Sequence, residues 1–197
     1  TGYLKQVIND YGTGKLNYTT ELTYDTFGNV ETIKDPKSNI TTFRHNALTQ
    51  LVQAISPDPF NYITRYSYDE NGNLSKVERQ ADDIGSVWQA TSYTYDILDK
   101  VKAITDDLNN VTAFDYDANG NRIAINDAEG NRTTYVYDER NLLWKVADSL
   151  GNVTEYTYDE NANLKEIKDA KSNITGYIYD DFDRLTKTTY ADSSIEE

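Results

Sequence analysis

Carboxylates dominate the reactive side chains of this 197-residue chain: 33 Asp and Glu stand against 19 Lys and Arg, a net charge of −14, with one His and no Cys. Adjacent acids such as Asp82-Asp83, Asp106-Asp107 and Asp180-Asp181 are the groups that a glycoside hydrolase or a Ca²⁺ site would use. Most of the aspartates, however, recur at turn starts, where a hydrogen bond from the local backbone to the side chain already accounts for them. His45 stands alone, and with no Cys or second His it builds no zinc cluster. Gly-x-Ser-x-Gly, phosphate-loop and His-Glu-x-x-His patterns are all missing. The sequence therefore predicts no catalytic residue, no cofactor and no metal. Its acidity opposes nucleic-acid binding, which needs Lys and Arg in excess. No apolar run approaches the roughly 20 residues of a spanning helix, so no membrane insertion is expected.

Aromatic residues carry the stronger pattern. Tyr-Asp occurs at Tyr24-Asp25, Tyr68-Asp69, Tyr95-Asp96, Tyr116-Asp117, Tyr137-Asp138, Tyr158-Asp159 and Tyr179-Asp180, and the last five follow one another at intervals of 21 residues. Exposed aromatic rows bind sugars or proteins, but a fixed phase favours packing, with the rings in a ladder on every second strand and the hydroxyls reaching turn Asp or Asn groups. His45 falls in the Tyr slot of a degenerate copy. Trp88 and Trp144 lie off the pattern. Trp88, inside an insertion, is the candidate for an external contact.

Two turns per period must position these side chains. Asp117-Ala118-Asn119-Gly120 and Asp127-Ala128-Glu129-Gly130 have Asp first and Gly fourth, as a type I turn with a following left-handed residue prefers. Between such turns, Thr133-Thr134-Tyr135-Val136-Tyr137 alternates as a strand. The return strand instead spaces its apolar residues by three, as in Leu74 and Val77 or Leu143 and Val146, which a β-bulge beside the turn would reconcile with a strand. The expectation is all-β: repeated antiparallel β-hairpins, roughly 18 strands, forming a ribbon ~85 Å wide at ~4.8 Å per strand. Twist should make so wide a sheet curl and wrap. Residues 1–197 read as a single array of units of about 21 residues, with insertions near 56–61 and 82–90. Gly2, Leu4 and Val7 fit the middle of a unit, so the chain reads as a fragment of a longer array.

Those residues resemble the Tyr-Asp (YD) repeat, or Rhs repeat, found in bacterial polymorphic toxins, wall-associated proteins, insecticidal toxin complexes and the teneurin shell. The resemblance rests on the five Tyr-Asp units set 21 residues apart, each with a turn Gly or its substitute and a Thr-x-aromatic-x-Tyr-Asp ending. After the turn Gly, Asn replaces the family's common Arg, as in Gly28-Asn29-Val30 and Gly72-Asn73-Leu74, which looks closer to the wall-associated branch. The resemblance implies a hollow shell of hairpins, secreted or at the bacterial cell surface, often enclosing a C-terminal toxin domain. An Asp-Pro-x-Gly signature is missing, since Asp35-Pro36-Lys37-Ser38 and Asp58-Pro59-Phe60-Asn61 lack the Gly, so self-cleavage is not implied. The partners expected are neighbouring repeats and an enclosed C-terminal toxin or effector domain of the same protein. The alternative is an extracellular adhesion module binding glycan or receptor through its exposed face. An enzyme is the least supported reading.

Overall fold

The structure is a computed structural model that describes residues 2–9, 12–14, 16, 18–82 and 85–197; Asp83 and Ile84, within the second expected insertion, lie outside them. Every regular element among the described residues is a β-strand, eighteen in all. The chain divides into two compact units, Thr1–Asn110 and Val111–Glu197. The first holds β1 (Gln6–Asn9), β2 (Tyr18–Tyr24), β3 (Val30–Lys34), β4 (Ile40–His45), β5 (Leu51–Ile55), β6 (Ile63–Tyr68), β7 (Leu74–Gln80), β8 (Trp88–Tyr95) and β9 (Val101–Thr105). The second holds β10 (Val111–Tyr116), β11 (Arg122–Asn126), β12 (Arg132–Tyr137), β13 (Leu143–Ala147), β14 (Val153–Tyr158), β15 (Leu164–Lys168), β16 (Ile174–Tyr179), β17 (Leu185–Thr189) and β18 (Ile195–Glu196).

Within each unit the strands form an antiparallel meander, each pairing with the strand before and after it. Strands end at Tyr24, Tyr68, Tyr95, Tyr116, Tyr137, Tyr158 and Tyr179, where the Tyr-Asp dipeptides place the turns. His45 ends β4 in the same way.

The three-residue apolar spacing resolves into a bulge. In β2–β3, Thr23 pairs with Thr32 while Tyr24 pairs with Val30, so Glu31 is the extra residue. The same shift recurs at the other seven Tyr-slot hairpins, His45 included. Because side chains alternate along a strand, the inserted residue returns the third position to the starting face. Tyr24 therefore faces Val30 and Leu22 faces Ile33 on one side of the sheet. The other side carries polar pairs: the hydroxyls of Thr23 and Thr32 at 2.7 Å, Lys34 with Glu21 at 3.2 Å, and Lys145 with Glu155 at 2.7 Å. In β11, Arg122 takes the apolar slot and lays its guanidinium over Phe114 and Tyr135, at 5.8 and 5.5 Å from the ring centroids.

Each meander is one layer thick. Within a unit, the strands whose backbones adjoin are consecutive ones. Among the described residues only Val77, Ala124 and Thr188 are buried, and no large side chain is fully so. The Tyr rings stay half-exposed, packed sideways against neighbours in the same sheet with no second layer over them.

Candidate functional site

The recurrent chemical feature is the turn, and one five-residue pattern serves both edges of the sheet. In Asp127–Asn131 the Asp127 carboxylate accepts from the backbone N–H groups of Glu129 at 3.0 Å and Asn131 at 2.8 Å, and from Asn131 Nδ2 at 2.8 Å. Gly130 N–H donates to the Asp127 carbonyl at 3.1 Å, and Asp127 N–H donates to the Asn131 carbonyl at 3.0 Å. The Tyr-Asp turn Asp25–Asn29 repeats these bonds. The residue at the fourth position has positive φ, 84° at Gly130 and 89° at Gly28. Elsewhere Thr49, Asp99, Asn141, Ala162, Ser172 and Asp183 take that conformation without being glycine.

These bonds draw the carboxyls below their ordinary value. For Asp127 the chief cause is the Asn131 amide, followed by the Asn131 backbone N–H. Asp106 and Asp180 are likewise lowered, first by Asn110 and Arg184 side chains. In the pairs Asp106-Asp107 and Asp180-Asp181 the first carboxylate is thus occupied by its own turn, and the second is exposed. Asp82 is held by Ser86 and Val87 across the 82–90 insertion, while Asp83 lies outside the described residues. Among the described residues, no group of three or more His, Asp and Glu side chains is arranged to hold a metal ion.

The Tyr hydroxyls go somewhere the sequence did not indicate. Instead of turn Asp or Asn groups, the hydroxyls of Tyr24, Tyr68, Tyr95, Tyr137 and Tyr158 donate to a backbone carbonyl, the last four to that of the residue opening the preceding return strand. Tyr68 reaches the Leu51 carbonyl at 2.8 Å, Tyr95 reaches Leu74 at 2.8 Å, Tyr137 reaches Arg122 at 3.1 Å and Tyr158 reaches Leu143 at 2.9 Å. Tyr24 does the same to Leu4 at 2.6 Å, with Tyr3 stacked on its ring. The reason is the bulge. The β5–β6 ladder runs only from Gln53–Arg65 to Ile55–Ile63, so the first residue of β5 has no partner there, and the hydroxyl supplies one. Burial pushes the Tyr68, Tyr95 and Tyr158 hydroxyls up in pKa. His45 has no such reach, and its Nδ1 is buried with no hydrogen-bond partner.

A further contact was not anticipated: adjacent Tyr-Asp turns clasp each other. Asn71 and Asn73 both donate to Asp99 Oδ1, at 2.9 and 2.7 Å. Asn119 and Asn121 donate to Asn141 Oδ1 at 3.0 and 2.8 Å, and Asn161 and Asn163 donate to Asp183 Oδ1 at 2.9 and 2.6 Å. The visible signal was Asn-x-Asn in one turn followed by a non-glycine left-handed residue in the next. Asp99 and Asp183 are lowered in pKa by these amides, Asn71 and then Asn73 for the first, Asn163 and then Asn161 for the second.

Trp88 opens β8 and is half-buried, not a loop side chain. Its indole N–H donates to the Gly85 carbonyl at 3.2 Å, and the Arg65 guanidinium lies 4.2 Å from its ring centroid. Trp144, the extra residue of the β12–β13 bulge, is the more exposed tryptophan at 45%. In the 56–61 insertion, Phe60 stacks on Tyr62 with centroids 5.5 Å apart, and both rings face outward.

Single-layer hairpins with Tyr-Asp corners define a repeat protein, and comparison with known families agrees. The RHS repeat family model matches residues 98–132, 116–146 and 162–195, and the chain carries Rhs repeats over those segments. The hairpins before residue 98 share the bulge and turn, but one of them carries His45 in the Tyr slot and the two insertions lengthen the spacing to 23 and 27 residues. No curated protein sequence matches the chain. Among solved structures, the crystal structure of TcdB2-TccC3-TEV is similar with a TM-score of 0.60 at 14% identity, covering 89% of this chain and 12% of that one. The crystal structure of TcdB2-TccC3 is similar with a TM-score of 0.57 at 14% identity, covering 87% and 12%. At that identity the likeness is one of fold, and the chain spans about an eighth of the length of those proteins.

Proposed function

We propose that the chain is a non-catalytic structural segment of a secreted or surface-exposed bacterial Rhs/YD-repeat shell that encloses or presents a C-terminal toxin or effector domain. The observation that carries this reading is the uncovered Tyr face. A sheet that keeps its aromatic residues on one side and has no second layer gains stability when that side faces an enclosed volume. The 21-residue period continues from Tyr95 to Tyr116 past the boundary between the two compact units, which supports one continuous array. The Tyr-Asp residues from Tyr24-Asp25 to Tyr179-Asp180 define its corners. The turn carboxylates are engaged in their own turns, which supports a framework role over catalysis. The test is limited proteolysis of the full-length natural protein. Protection of the C-terminal domain that ends when the repeats are unfolded is the expected result, and a domain cut at the same rate before and after unfolding would refute enclosure.

The stacked Phe60 and Tyr62 favour a second reading, in which the exposed face binds glycan or a receptor. A glycan array probed with the wild-type chain and with Phe60→Ala decides it, since binding lost in the variant supports a contact site at this insertion and an empty array counts against a glycan.

A further inference from the structure

Two turn tips place Asn directly before Gly, at Asn71-Gly72 and Asn119-Gly120. Both asparagines are exposed, and both glycines have positive φ, 90° and 89°. With no side chain on the glycine, its backbone nitrogen has unhindered access to the Asn amide carbon. Attack by that nitrogen closes a five-membered succinimide and expels ammonia. Water then opens the ring to aspartate or its β-linked isomer, so that amide plus water become carboxylate plus ammonium, with no oxidant or enzyme required.

The two sites differ in what they face. Asn71 Nδ2 donates to the Asp99 carboxylate, whereas Asn119 Nδ2 donates to the Asn141 amide oxygen. A carboxylate at position 71 would meet a second carboxylate, and neither has a proton to donate at neutral pH. A carboxylate at position 119 would meet a neutral amide, which either keeps accepting from Asn121 or turns over and donates its NH₂ to the new carboxylate, so one bond of the clasp remains without charge repulsion. We propose that Asn71 is a deamidation site whose conversion to aspartate loosens the clasp between the turn of residues 69–73 and that of residues 96–100, by setting two carboxylates against each other and leaving Asn73 as the donor to Asp99, and that Asn119 undergoes the same conversion without loosening its clasp. Each glycine N–H is engaged in its own turn, Gly72 with the Asp69 carbonyl at 3.1 Å and Gly120 with the Asp117 carbonyl at 3.0 Å. Reaction at either site therefore follows local opening, and the two should proceed at similar rates, slower than in the unfolded chain.

The folded chain, incubated in ¹⁸O-water at mildly alkaline pH, should take up heavy oxygen at residues 71 and 119 on peptide mapping by mass spectrometry. Asn71→Asp should speed amide exchange at Gly72 and Asn73 by at least roughly tenfold, the scale of losing a hydrogen bond to a charged group. Asn119→Asp should leave Gly120 and Asn121 close to wild type. The double variant Asn71→Asp with Asp99→Asn exchanges donor and acceptor and should restore protection, which separates the clasp from general unfolding. Absence of ¹⁸O at both sites while the unfolded control converts, an equal effect of the two single variants, or no rescue in the double variant would each overturn the proposal.

Discussion

At the scale of single residues, left-handed backbone is concentrated at one turn position, and side-chain identity there sets its cost. A Cβ at Gly130 would meet nothing within 4 Å, so Gly130→Ala isolates the conformational penalty of its φ of 84°. That penalty is about 1–2 kcal/mol, and urea unfolding should show the variant weaker by this amount. Ala162 already bears it at a φ of 69°, so Ala162→Gly should move stability the other way, with the gain reduced by glycine's larger unfolded-state freedom. His45 offers a second substitution. Its ring occupies a Tyr slot opposite Leu51, with Nδ1 buried and unpaired. Register places the Val30 carbonyl where its counterparts receive a Tyr hydroxyl, as Arg122 and Leu143 do fifteen residues before Tyr137 and Tyr158. His45→Tyr should add one hydrogen bond worth ~1 kcal/mol and raise the unfolding midpoint. An unchanged midpoint would mean that the hydroxyl does not reach the carbonyl.

At the scale of the hairpin, the bulge and the Tyr hydroxyl form one device. The bulge aligns Leu143 and Val146 on the Tyr face, and in doing so ends the ladder between hairpins before the turn edge. The Tyr158 hydroxyl bridges that gap to Leu143. Tyr158→Phe keeps the ring and removes the bridge, so it should cost ~0.5–1.5 kcal/mol, with faster hydrogen exchange confined to β13 and β14. Uniform acceleration through the unit would instead point to lost packing. Much of the hairpin was legible in the residues: Tyr-Asp marks the strand end, Asp and Gly mark the turn, and the Leu143–Val146 spacing implies a bulge. The hydroxyl's target was not legible, because it depends on where a ladder between separate hairpins stops. The Asn71–Asp99 clasp joins residues 28 apart, a distance at which local preferences are silent. Trp88 opens a strand with the Arg65 guanidinium of the neighbouring hairpin over its ring, a placement that departure from the repeat does not reveal.

At the scale of the whole molecule, the turns make acid the natural denaturant. Asp25, Asp35, Asp117, Asp127, Asp148 and Asp169 all sit below their ordinary value of 3.8, each chiefly through the Asn amide that closes its turn. A carboxyl with a depressed folded pKa stabilises fully above its unfolded value, and the contribution disappears as pH falls through the lower folded value. Acidification from neutrality first relieves the repulsion of a −14 chain. Thermal melts should therefore hold or rise slightly down to about pH 5, and fall steeply below about pH 4 as the unfolded-state carboxyls near 3.9 titrate. A melting point that keeps rising through that lower range would show that the turn carboxylates contribute little.

Backbone pairing confined, within each unit, to consecutive strands also governs how such a chain can be made. A hairpin needs only the residues just synthesised and the hairpin before it, with no distant segment to wait for. Folding can follow synthesis one corner at a time, and the growing edge serves as template for the next strand. The Tyr hydroxyl, which reaches backward to a carbonyl already in place, then acts as a ratchet on each hairpin as it emerges.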